Sequence, residues 1–138
     1  MTPKLAPIGW TQFISVAPAD ADMAAVDMMV NERIVPRDAD ATKPWRIIHA
    51  EDHARDGCCH DYAVTKRAEL MGLGWPASRL LLAEVAYDEK EDHMVLIAID
   101  SAGLEWSLDN LQTPMPWNDA GYRLIRRQSA ANPNLWEG

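Results

Sequence analysis

The sequence predicts an α+β fold, with helices from the N-terminal half packed on an antiparallel β-sheet from the C-terminal half. Three observations carry the prediction. Apolar residues recur at helical spacing in two stretches before residue 75, short apolar runs separated by turn residues fill much of 80–126, and strand and helix patterns never alternate as a parallel sheet requires. At 138 residues the chain is read as one domain, 1–138, large enough to bury a core without metal or disulfide staples.

The first helix is expected over 20–34, "DADMAAVDMMVNERI", where Met23, Val26, Val30 and Ile34 share a face, Asp20 or Asp22 can cap the start and Pro36 stops the end. Polar residues and two prolines then make 36–57 a long connection, pinned by Trp45, Ile47 and Ile48; connections of this length are commonly functional. A second helix opens at Cys59, with Cys59, Tyr62, Ala63, Leu70 and Leu73 on one face and Lys66 as its exception; Gly72, Gly74 and Pro76 end it. Strands follow at 80–87, 93–99, 104–108 and 122–126, divided by "DEKED", "DSAG" and a Pro/Asn-rich stretch, and read as a meander. The six tryptophans, at 10, 45, 75, 106, 117 and 136, are expected in the core or in groove walls, with Trp45 and Trp117 lining a cleft. The methionines at 23, 28 and 29 are expected to pack the first helix onto the core.

Composition narrows the function. Hydrophobic residues at 48% and charged residues at 25% describe a globular chain, and the net charge of −8 disfavours nucleic acid as a partner. No apolar run is long enough for a membrane span, and the N-terminal stretch is too weak for a signal peptide, so the chain reads as cytoplasmic. Its only two cysteines are adjacent, Cys58 and Cys59, a geometry unsuited to an ordinary structural disulfide; two reduced thiols remain, for reactivity or for metal.

Cys59 at a helix start has the chemistry of a nucleophile, because the unpaired N–H groups and the positive end of the helix dipole favour a thiolate. The same N–H groups can face a developing oxyanion. A thiol nucleophile needs a base, and the base needs an orienting partner. Of the four histidines, His49 and His53 lie in the long connection and His60 is expected to point elsewhere on the helix. His93 opens the strand "HMVLIAID", where a sheet would hold its ring, and "WSLDNL" on the next strand offers Asp109. Strand alternation tests the pair. A three-residue loop Ser101-Ala102-Gly103 pairs Asp100 with Leu104 and puts Asp109 opposite Val95, on the His93 face; a two-residue loop would put it on the wrong face. Trp106 and Leu108 then point to the core side.

These residues resemble a known pattern. "GCCHDYAVTKRAELMGLGWPASRLLLAEV", then "DHMVLIAI" and "WSLDNL", with "VNERI" in the first helix, is similar to the bacterial transglutaminase-like cysteine proteinases, whose motif runs Gly-Asp-Cys-Glu-Asp-Tyr-Ala. Gly57, Cys59, Asp61, Tyr62, Lys66, Arg67, His93, Asp109 and Asn110 coincide with it. The resemblance implies a papain-like or transglutaminase-like architecture. It also implies a catalytic triad of Cys59 as nucleophile, His93 as base and Asp109 as orienter, acting through a thioacyl enzyme on a protein or peptide substrate, with no cofactor. It further implies an exported, commonly periplasmic, setting. In papain-like enzymes an oxyanion-hole side chain precedes the nucleophile, where His53 stands.

Two departures flank the nucleophile. The resembled motif has aspartate where Cys58 stands and glutamate where His60 stands, and acidic residues around the cysteine bind calcium in one branch of that family; with Asp61 alone kept, such a site is not expected here. Rival readings are a lapsed binding or assembly module of the same fold, an acyl transferase, a cell-wall peptide hydrolase, and a zinc site from Cys58, Cys59, His53, His60 and His93. The last lacks the spaced ligand pairs zinc sites use.

Overall fold

A computed structural model describes residues 18–87, 90–111 and 113–138; Trp10 lies outside them. The order is α1 (Pro18–Arg33), β1 (Val35–Pro36), β2 (Asp56–Gly57), α2 (Cys59–Gly72), β3 (Leu80–Tyr87), β4 (Lys90–Ile99), β5 (Glu105–Leu108), β6 (Met115–Pro116), β7 (Arg123–Gln128) and β8 (Trp136–Glu137). This is the α+β arrangement that the hydrophobic periodicity predicts. Helix α1 starts earlier than its expected aspartate caps. Pro18 suits a first turn, where a missing N–H costs nothing, and Asp20 and Asp22 fall inside the helix near its positive end.

Met23, Val26, Val30 and Ile34 are buried as their spacing requires, joined by Tyr62, Ala63 and Leu70 of α2. Two expectations fail on exposure. Met28 and Met29 are 60% and 40% exposed, because only Met23 of the three falls on the buried stripe, and Leu73 is 56% exposed because α2 has ended at Gly72. The long connection is not wholly irregular: its ends zip together as the parallel pair β1 and β2, Val35 opposite Asp56 and Pro36 opposite Gly57. A chain excursion of some twenty residues therefore returns to the point where α2 begins.

The large sheet runs β6-β5-β4-β3-β7-β8. Strands β3 to β5 follow the expected meander and β6 adds an unexpected edge beside β5, but the expected fourth strand, β7, crosses to the opposite side and pairs antiparallel with β3. The two-residue strands β6 and β8 carry too few residues for any periodic signal. Leu80, Leu82, Met94, Leu96, Ala98 and Leu108 face the helices. The opposite face is buried too, with Leu81, Ala83, Val85, Val95 and Ile97 packed against Trp117, Tyr122 and Leu124. Burial on both sides explains why β3 and β4 read as nearly continuous apolar runs.

Lys66, the exception on the apolar face of α2, is fully buried and pairs with Asp27 of α1 at 2.7 Å. Burial pushes the Asp27 carboxyl up and the Lys66 amine down, and their attraction opposes both shifts. Around this pair Arg33 donates to Ile48 O at 3.0 Å and to Glu69 Oε2 at 2.8 Å, and Tyr62 donates to Ile34 O at 3.1 Å. Charged and hydroxyl groups thus tie α1, the connection and α2 into one layer.

A buried ion pair costs most when halved, since the remaining charge is left desolvated. Lys66→Met is expected to destabilise the protein by about 3–5 kcal/mol in urea unfolding, and Asp27→Leu in the same chain to return most of that loss. A single variant as stable as the wild type would show that the pair carries no structural weight.

Candidate active site

The site begins with Gly57. A Cβ there would stand 2.9 Å from Asp61 Cβ and 3.0 Å from Ile48 Cδ1, so only glycine lets the chain pass this close to the first turn of α2. Asp61 uses that closeness. One oxygen accepts the Cys58 N–H at 3.0 Å and meets Arg37 at 3.3 Å, while the other accepts the Arg46 N–H at 2.7 Å. Its carboxylate caps α2 and anchors the long connection beside it. Arg37 also lies 3.1 Å from Asp56.

Cys59 follows the capped residue Cys58 and opens α2 in its first turn, where backbone donors point outward along the axis. It is half-buried, and Cys58 is buried. Burial alone would push the Cys59 thiol up; hydrogen bonds from His60, His93 and the Met94 N–H, with the charge of His60, outweigh it and bring its pKa down to about 6. The structure therefore brings Cys59 and His93 together.

His93 is 7% exposed. It lies opposite Val85, beside a register shift between Val85 and Tyr87 that ends the regular pairing of β3 and β4. A bulge at this point re-aims the side chain that follows. The ring stands edge-on to Tyr87, centroids 4.9 Å apart. Its Nε2–H donates to Asp109 Oδ1 at 3.0 Å. Burial pushes the ring down, but the bonds to Asp109 and Cys59 carry its pKa up to about 9.

Asp109 reaches His93 because the hairpin closes with an odd loop. Asp100 N donates to Leu104 O, Gly103 adopts φ +87°, and Leu96 pairs with Leu108, the register in which Asp109 falls opposite Val95. Asp100 holds the turn by accepting Ala102 N and Leu104 N at 2.9 Å each and Trp106 Nε1 at 3.0 Å. Asp109 is 1% exposed and accepts the Leu111 N–H at 3.0 Å. Tyr122 OH donates to its second oxygen. Sequence reasoning missed Tyr122, which precedes β7 and reaches Asp109 only because β7 crosses to the far side of β3.

His60 differs from its expected orientation. It does not point away: its Nδ1 lies 3.5 Å from Cys58 Sγ and 3.8 Å from Cys59 Sγ, and its ring stacks on Trp45 at 4.8 Å between centroids. Trp45 is the exposed wall the sequence suggested, whereas Trp117 packs beside Tyr122, with centroids 5.9 Å apart. His53 is exposed. A cavity of about 370 Å³ opens on the His60 side, with Arg37, Trp45, Cys58 and Glu84 in its wall.

Solved structures of Legionella pneumophila LapG share the fold. The calcium-bound form superposes with a TM-score of 0.69 at 19% identity, covering 82% of this chain and 66% of LapG. The EGTA-treated form gives 0.61 at 18% identity over 80% and 63% of the two chains. The chain thus spans somewhat less than two thirds of the LapG length. No curated protein sequence matches it. The family model of the bacterial transglutaminase-like cysteine proteinases matches residues 10–138, nearly the whole chain, and the chain belongs to that family.

Proposed function

We propose that the chain is a cysteine peptidase or amide hydrolase in which Cys59 attacks the carbonyl carbon of a protein or peptide, His93 moves the proton and Asp109 orients the ring. One observation carries the reading: a helix-start thiol hydrogen-bonded to an imidazole whose Nε2–H donates to a buried carboxylate. In the resting site the thiolate faces a protonated His93. Attack forms a carbon–sulfur bond and places negative charge on the carbonyl oxygen, within reach of first-turn N–H groups of α2. His93 gives its proton to the departing amine, leaving a thioester on Cys59. It then takes a proton from water, whose oxygen displaces the thiolate and releases the acid. An amine in place of water would give acyl transfer by the same steps; hydrolysis needs no second substrate and is the reading adopted.

Calcium, bound in one LapG structure, does not suit the residues around this nucleophile. Both Asp61 oxygens are occupied by Arg37 and two backbone donors, and the flanking side chains offer sulfur and nitrogen where this hard cation takes six to eight oxygens. Among the described residues no group of three or more His, Cys, Asp and Glu is placed to hold a metal. The steps above use protein groups only.

Cys59→Ala is expected to abolish cleavage of a proteome-derived peptide library, read as new termini by mass spectrometry, while Cys58→Ala retains most of it. New termini persisting in Cys59→Ala, or vanishing in Cys58→Ala alone, would assign the wrong thiol. The ionisations predict a bell-shaped kcat/KM, rising as Cys59 loses its proton near pH 6 and falling as His93 loses its own near pH 9. A profile still rising above pH 10 contradicts the thiolate–imidazolium pair. Tyr122→Phe removes one donor to Asp109 and is expected to lower kcat about five- to tenfold at unchanged KM, the worth of roughly one hydrogen bond.

A further inference from the structure

We propose that His60 is a second imidazole acting directly on the nucleophile: it donates from Nδ1 to the Cys59 sulfur, with Trp45 and Cys58 holding its ring in place. The inference rests on the reading of Cys59 as the nucleophile. Neighbours on a helix project about 100° apart, so the residue after a nucleophile ordinarily faces away from it. Here the ring is folded back. Trp45 supplies a nearly parallel stacking surface, with 18° between planes, and Cys58 sits against the nitrogen that also meets Cys59.

The surroundings leave Cys59 as the natural counter-charge. From the connection, Arg37 pairs with Asp56 and Asp61, and Lys43 faces Asp40. From the sheet, Glu84 pairs with Arg126. The bond to Cys59 is the largest influence on His60 and, with a lesser one to Cys58, outweighs burial and carries its pKa up to about 9. Two imidazoles and the Met94 N–H therefore converge on one sulfur.

Cys58 acquires a role in this arrangement. A carboxylate at 58 would lie beside His60 Nδ1 and, as a stronger acceptor than a neutral thiol, would draw the proton to itself. A buried thiol fills the position, 3.5 Å from Nδ1, and as a weaker acceptor than a carboxylate shares that N–H with Cys59 at 3.8 Å. Cysteine at 58 and histidine at 60 form one device, in which the second residue supplies a positive charge and the first competes for it less than a carboxylate would.

The test is the pH dependence of Cys59 carbamidomethylation by iodoacetamide, in which the thiolate displaces iodide, read site by site by mass spectrometry on the full chain. Wild type should titrate near pH 6. His60→Gln should move the midpoint up by about one unit or more, as expected on losing a neighbouring positive charge. Cys58→Asp, which leaves the imidazole but offers it a rival, should move it in the same direction, and Trp45→Ala should do so by less. Circular dichroism and thermal melting check that each variant is folded. A His60→Gln midpoint equal to that of the wild type overturns the proposal; if that variant does not fold, unmoved midpoints in both Cys58→Asp and Trp45→Ala overturn it. A wild-type Cys59 no more reactive at pH 7 than a model thiol would instead overturn the reading of the nucleophile itself.

Discussion

The site depends on the parity of one hairpin. Side chains on β4 and β5 alternate between two faces, so Asp109 can meet His93 only if the chain turns with an odd number of residues between Asp100 and Leu104. One residue fewer would bring Asp109 to the wrong face and put a packed leucine in its place. The turn is correspondingly over-determined. Asp100 accepts two backbone N–H groups and an indole N–H, and Gly103 takes a positive φ that other residues adopt only with strain. Their effect on the pairing of His93 with Asp109 passes through register.

The helix side has a matching constraint. Cys59 stands where Asp61 puts it, because that carboxylate caps the helix, takes a backbone N–H from the long connection and meets Arg37. Gly57 is the spatial condition for all three contacts. Lys66 and Asp27 hold α2 against α1 a few turns further on, at the desolvation cost of two buried charges. Both pairings fix orientation more than they add stability, a fair exchange in a site where a sulfur must meet a ring on a separate sheet. The coupling is visible in the charges: Asp109 acts on both Asp27 and Lys66, so the carboxylate bonded to His93 and the lock between the helices lie in one electrostatic neighbourhood.

Much of this was legible in the chain, and the reasons are local. Helix faces, the strands at 80–87 and 104–108, and the contact between His93 and Asp109 follow from periodicity and turn chemistry that a few consecutive residues encode. The resemblance implies roles for Cys59 and His93, and the two side chains are hydrogen-bonded. What escaped was non-local. Tyr122 reaches Asp109 through a strand crossing, β6 and β8 are pairs of residues with no period, and Trp117, which helps cover the second apolar face of the sheet, comes from a stretch that looks like loop. Lys66 looked like an exception to its face because its partner lies on another helix. His60 was read from helix geometry alone, which cannot see that Trp45, from a distant part of the connection, turns the ring back.

That error explains the cysteine pair. Considered separately, Cys58 is a thiol without a task and His60 a third basic group in a crowded site. Considered as neighbours, they decide where one proton goes. A carboxylate close to a nucleophilic thiolate raises its pKa by like-charge repulsion, and a carboxylate close to an imidazolium consumes its charge; a thiol at 58 does neither. With cysteine at 58 and histidine at 60, Asp61 keeps to capping and Arg37 holds the connection, so the Asp61 carboxylate is already engaged away from Cys59. The positive charge beside Cys59 is instead a side chain stacked on a tryptophan, while the Arg37 guanidinium is held between two aspartates of its own.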